Sequence, residues 1–77
     1  MSEKLPVISG KDVLKALSKA GFRVVRQRGS HVRMEKSKTG TAIKITVPLH
    51  ATLKKGTLKH IIDDAGLTTK EFLVLLR

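Results

Sequence analysis

The apolar residues of this chain change their spacing twice, and that constrains its fold more than any other feature. Over residues 9–20, Val13, Leu14, Leu17 and Ala20 recur at helical spacing, with Lys11, Lys15 and Lys19 on the opposite side. Ser9 reads as the N-cap and Asp12, three residues on, as the acid of a capping box. Gly21 stands where a helix-ending residue with positive φ is wanted. The period then drops to two. Residues 22–27 read as a strand, Arg28-Gly29-Ser30 as turn chemistry, and residues 31–36 as a second strand. Ser37-Lys38-Thr39-Gly40 is a turn cluster, and residues 41–47 form a third strand in which Ile43, Ile45 and Val47 alternate with Ala42, Lys44 and Thr46. Pro48 cannot donate to a ladder and closes that strand. Two short connections in succession imply an antiparallel three-stranded meander.

Helical spacing returns with Leu58, Ile61, Ile62 and Ala65 and stops at Gly66. Thr68-Thr69-Lys70-Glu71 fits a second capping box and opens a short last helix containing Phe72, Leu73, Leu75 and Leu76. The expected order is helix, three strands, helix, short helix. Each main helix has one apolar stripe, so both should lie on the single buried face of the sheet, an α+β two-layer sandwich. The 77 residues carry no internal repeat or linker and predict one domain over residues 1–77. A domain of this size buries only about 60% of the surface its unfolded chain exposes, so its stability should be marginal.

Charge narrows the partner. Sixteen Lys and Arg against six acids give a net +10. Residues 1–40 hold ten bases and three acids, whereas residues 41–77 hold six and three, so the surplus is concentrated in the first half. Such density favours polyanions, because releasing counterions condensed on phosphates drives binding without any reading of sequence. A membrane surface is the poorer fit, since no long helix pairs a Lys-rich face with aromatic anchors. No signal-peptide run follows Met1-Ser2-Glu3-Lys4, and no apolar stretch approaches the ~18 residues of a membrane span. Together with the lack of cysteine, this predicts a cytoplasmic protein.

Alternation also orients the candidate site. If Val32 and Met34 point into the core, His31, Arg33 and Glu35 occupy the open face, with Arg26 and Lys44 candidates for the same side on neighbouring strands. A histidine that opens a strand behind Gly29-Ser30, among cations, stands where a phosphate could reach it. Gly29 lets a backbone come close, and Ser30 offers a hydroxyl and an amide. An exposed histidine on a sheet is more often a plain surface residue. Cleaving RNA, however, asks for little more, since the substrate supplies its own nucleophile in the 2′-hydroxyl. An imidazole serves as base or acid near neutral pH, and arginines steady the phosphate.

No metal or other cofactor is expected. His31, His50 and His60 are far apart in the chain, without HxxxH or HExxH spacing. Asp63-Asp64 is an adjacent pair on a helix, where neighbours point roughly 100° apart, and reads as a solvated face. There is no Trp or Tyr, and Phe22 and Phe72 occupy core positions, so base-stacking platforms are not expected. Recognition must therefore lean on phosphates, shape and 2′-hydroxyls. Lys54, Lys55 and Lys59, at the entry to the second main helix, suit a backbone clamp, though they read equally well as ordinary surface lysines.

The residues then resemble a known family. The element order, Gly21-Phe22 after the first helix and Gly29-Ser30-His31 at the second strand are similar to the HicA toxins. So are Val47-Pro48-Leu49-His50, Lys55-Gly56-Thr57-Leu58-Lys59 with Ile61 and Ile62, and Ala65-Gly66-Leu67. The likeness runs from about Ile8 to the end of the chain. It implies a double-stranded-RNA-binding-like fold and an endoribonuclease that cuts mRNA without the ribosome. It also implies neutralisation by a HicB-type antitoxin, the toxin being monomeric alone and hetero-oligomeric with that partner. The family's catalytic histidine follows Gly-Ser, which carries over onto His31, and His50 matches a recurrent position given a supporting role. A further His or an aromatic often follows in the family, whereas Val32, Arg33 and Met34 follow here. The RNA-binding set implied by charge and position is Arg26, Arg28, Gly29, Ser30, Arg33, Lys44, Lys54, Lys55 and Lys59.

Two other functions compete. A binding module of the same fold could hold structured RNA and cut nothing, but a clamp has no need of a histidine on its open face. A DNA regulator is disfavoured by the absence of a recognisable helix-turn-helix.

Overall fold

The computed structural model describes residues 5–77, so the stretch before Leu5, where no signal peptide is expected, lies outside the described residues. The elements follow the expected order: α1 (Gly10–Lys19), β1 (Arg23–Arg28), β2 (His31–Lys38), β3 (Thr41–Pro48), α2 (Lys55–Asp64) and α3 (Thr69–Leu75). Among the described residues no helix is long and apolar enough to cross a membrane.

Local chemistry sets the helix ends. The Ser9 hydroxyl accepts from the Asp12 amide at 3.1 Å while the Asp12 carboxylate accepts from the Ser9 amide at 3.2 Å, and Thr68 and Glu71 repeat this reciprocal pair at α3. At the other end of α1 the Gly21 amide donates to Ser18 and the Phe22 amide to Leu17. Gly66 and Leu67 make the same two bonds to Asp63 and Ile62 at the end of α2. This Schellman closure turns the chain sharply and drops Phe22 back into the core beside Leu17. Phe22 therefore belongs to the α1 stop, and β1 begins one residue later than its aromatic character suggested.

Among the described residues the sheet is antiparallel in the order β1-β2-β3, leaving only β2 with a partner on both sides. Ser37 and Lys38, expected in a turn, continue β2, because Lys38 still pairs with Thr41 and only Thr39-Gly40 are needed to reverse the chain. Pro48 is the last residue of β3, opposite His31, and β3 is an edge strand, where a missing amide is tolerated.

One face of the sheet is buried. Val32 and Met34 from β2 and Ile45 and Val47 from β3 meet Val13, Ala16 and Leu17 of α1, Leu58, Ile61 and Ile62 of α2, and Phe72 of α3. The helices pack on β3 and on one another, and β1 contributes nothing to the core, every one of its residues being exposed. Val24 faces the same side as Met34 yet remains 52% exposed, because the helix layer stops short of it. The sheet thus overhangs its helices on the β1 side.

Candidate nucleic-acid interface

The open face of the sheet is organised in three cross-strand rows. Arg28, His31 and Pro48 form the first, Arg26, Arg33 and Thr46 the second, and Arg23, Glu35 and Lys44 the third. Directly opposed residues have Cβ atoms about 5 Å apart, so each row places its side chains within reach of one phosphate group or one base.

A β-bulge creates this alignment. Val24 pairs with Met34 and Arg26 with Arg33, leaving Val25 as the extra residue. With strict alternation, Arg26 and Arg28 would lie on the face opposite to Arg23. Inserting Val25 resets the phase, so Arg23, Arg26 and Arg28 all share a face with His31. The neighbouring Val24 keeps its place on the helix side.

The two-residue turn Gly29-Ser30 joins β1 to β2. Gly29 has φ 59°, whereas Ser30 does not enter the positive-φ region, the signature of a type II′ hairpin turn whose first position favours glycine. The Gln27 side-chain amide steadies the turn by donating to the Gly29 carbonyl at 3.1 Å. Nothing lies within 4 Å of where a Gly29 side chain would sit, so the backbone here is open to an approaching strand. The Ser30 carbonyl accepts from the Leu49 amide at 2.6 Å, and the His50 carbonyl accepts from the Gly10 amide at 3.0 Å. These bonds hold the segment after β3 against the hairpin tip and bring His50 to the His31 end of the sheet.

Gly10 fits this junction because it has no side chain. A Cβ there would stand 2.1 Å from the Pro48 carbonyl oxygen. The first residue of α1 therefore docks directly on the strand residue that flanks His31, a constraint of tertiary packing that its spacing in the sequence did not reveal.

A depression of about 530 Å³ occupies the open face, lined by Val25, Arg26, Arg28, His31, Arg33, Glu35 and Thr46. Lys44 stands at the third row beside Glu35 without lining it. His50 is exposed outside the depression. Lys54, Lys55 and Lys59 belong to the helix layer: Lys54 is the N-cap of α2, and Lys59 pairs with Asp63 at 3.1 Å. The structure thus gathers Arg26, Arg28, His31 and Arg33 and sets the three lysines apart. Sequence reasoning missed Val25, Thr46 and Arg23 as neighbours of the site. Extending the register from the two-residue Thr39-Gly40 turn would have found Thr46, but Arg23 and Val25 depend on the bulge. Among the described residues no three His, Asp or Glu side chains are grouped to hold a metal ion.

Comparison with known proteins places this geometry in context. The family model for the HicA toxin of bacterial toxin-antitoxin systems matches residues 10–67, from the start of α1 through the Gly66-Leu67 closure of α2. No curated protein matches the chain.

Proposed function

The chain belongs to the HicA toxin family of bacterial toxin-antitoxin systems, and on that premise we propose that it is an endoribonuclease whose centre is His31. As a toxin of this class it acts with an antitoxin partner. The finer reading is that its target is mRNA, its partner is of the HicB type, and it works in the cytoplasm.

The observation that carries the proposal is the register of His31. It stands opposite Arg28 and one row from the Arg26–Arg33 pair, on a face open to a polyanion. With the scissile phosphate over the first two rows, His31 accepts the proton of the adjacent 2′-hydroxyl. The 2′-oxygen then attacks phosphorus, and the bond from phosphorus to the 5′-oxygen breaks. That oxygen takes a proton from solvent water to become the 5′-hydroxyl, and His31 returns its own proton to solvent. Charge grows on the non-bridging oxygens as the fifth bond forms. The guanidinium groups of Arg28 and Arg33, flanked by Arg26 on the same face, stabilise that charge. Open amides at Gly29 and Ser30 offer further donors at the row-one end. His50, tethered beside the hairpin, supports this end of the site, while Lys44, Lys54, Lys55 and Lys59 hold RNA farther from the cut.

Nothing in this chemistry calls for a bound metal. The product then carries a 2′,3′-cyclic phosphate on one fragment and a 5′-hydroxyl on the other. Mass spectrometry of RNA digested in EDTA tests the assignment. Cyclic-phosphate ends are expected, and 5′-phosphate ends would overturn this route.

A further inference from the structure

The third row of the open face holds a feature that phosphate binding does not explain. Glu35 is a half-buried carboxylate on a face whose other titratable side chains are arginine, histidine and lysine, and it lines the same depression as His31. Its cross-strand neighbours are Arg23 and Lys44. Yet no salt bridge to Glu35 is formed among the described residues, whose one ion pair, Lys59–Asp63, lies on α2. The carboxylate accepts no side-chain hydrogen bond from either neighbour and faces the depression with its acceptor sites free. A carboxylate so placed weakens the hold on any phosphate above it. A surface needed only for backbone binding would place a neutral or basic residue there.

We infer that Glu35 reads a base, and that the base it favours is guanine. An ionised carboxylate only accepts hydrogen bonds, through two oxygens. On the Watson–Crick edge, by which single-stranded RNA is read, guanine alone presents two adjacent donors, N1–H and the N2 amino group. Cytosine and adenine each offer one amino group beside an unprotonated ring nitrogen. Uracil presents one N–H between two carbonyl oxygens, which a carboxylate repels. The order of preference is therefore guanine, then cytosine or adenine, then uracil. Arg23 and Lys44, its cross-strand neighbours, hold the flanking phosphates.

Geometry fixes where along the RNA this reading occurs. Glu35 is four residues from His31 on the same strand and face, roughly 13 Å at about 3.3 Å per residue. That is too far for Glu35 to exchange a proton at the phosphate served by His31. It suits a base at a constant offset from the cut, with Arg33 lying between the two on the same face.

This inference rests on the open face being the RNA site, but it does not require cleavage, and the test separates the two. Fluorescence anisotropy is measured with short single-stranded oligouridylates carrying one central guanosine, cytidine or uridine. The protein is His31→Ala, so the RNA stays whole, with and without Glu35→Gln. A bidentate contact predicts roughly fivefold to hundredfold tighter binding of the guanosine oligomer than of all-uridine. Glu35→Gln should collapse that ratio while leaving uridine binding equal or tighter, since a negative charge is lost. A merely structural Glu35 would instead shift all oligomers together. Equal binding of all three oligomers, or a guanosine preference that survives Glu35→Gln, overturns the assignment. Should the native protein cut no RNA, the nuclease reading fails, and this binding ratio still decides the role of Glu35.

Discussion

Gly10 and Pro48 meet backbone to backbone, with no room for a methyl group between them. Since Pro48 also pairs with His31, this contact ties the start of α1 to the end of the sheet that carries the site. Gly10→Ala should cost about 1–3 kcal/mol, the usual range for forced overpacking, because the obstacle is backbone and cannot rotate away. Gly56→Ala is the control of opposite sign. Gly56 lies in α2 with nothing within 4 Å of the new Cβ, so alanine should stabilise by about 0.4–1 kcal/mol. Urea melts of the two variants check both signs, and equal midpoints would mean that the close approach at Gly10 has no energetic weight.

His31→Ala should leave the fold intact and reduce RNA cleavage by roughly a hundredfold to ten-thousandfold, the range spanned by a single general acid or base. The side chain is exposed and contributes nothing to the core, so loss of activity through unfolding is not expected. Circular dichroism alongside cleavage of a defined RNA makes the comparison. A folded variant that cuts at the parental rate excludes His31 from the reaction.

Deleting Val25 should convert β1 into a regular strand without displacing anything else. Arg23, Val24, Arg26, Gln27 and Arg28 then alternate without interruption, in the same pairings with Glu35, Met34, Arg33, Val32 and His31. The deletion variant is expected to fold with native stability or better, since a half-exposed valine and an unpaired position are both removed. Cross-strand nuclear Overhauser effects between Val24 and Met34 report the register. If those signals vanish and Arg23 moves to the helix side, the bulge is not what sets the phase.

That bulge also marks the limit of what the sequence revealed. The open face was legible from Val32 and Met34, because burial of two alternate residues on a central strand decides where His31, Arg33 and Glu35 point. The helix ends were equally legible, since Ser9 with Asp12 and Gly66 with Leu67 are local chemistry. In β1, Val24 and Val25 are both apolar, so no alternation shows which is inserted. The uncovered position of β1 depends on how far the helix layer extends, and the tightness at Gly10 on where α1 lands. Both are tertiary outcomes with no local signature.

Binding of a short single-stranded RNA should weaken linearly in the logarithm of salt concentration. Removing a side chain that neutralises one phosphate makes the slope shallower by about 0.7. Arg28→Ala and Arg33→Ala should each show that change, because both line the depression. Lys54→Ala and Lys55→Ala should leave the slope for a short oligonucleotide unchanged and lower it only for longer RNA that extends past the open face to the helix layer. Identical slopes for the arginine variants and the native protein would mean that phosphates are held elsewhere.

The antitoxin should bind across the open face. A toxin that cuts host RNA must be restrained by its partner, and the most direct restraint covers His31. The face offers Arg23, Arg26, Arg28, Arg33 and Lys44 with Glu35 as its one acid, so the matching surface is acidic. Close charge pairs across such an interface couple strongly, and long-range attraction accelerates encounter at low ionic strength. The complex should therefore form more slowly as salt is added, with Arg26, Arg28 and Arg33 at its interface. Exposed His31 is open to diethyl pyrocarbonate in the free toxin and should be shielded in the complex, whereas His60 on α2 should stay reactive in both. Hydrogen exchange adds a second readout, with slowing expected along β1, whose outer edge is unpaired in the sheet. If His31 remains reactive in the complex and protection falls only on the helices, the antitoxin restrains this protein by some means other than occlusion.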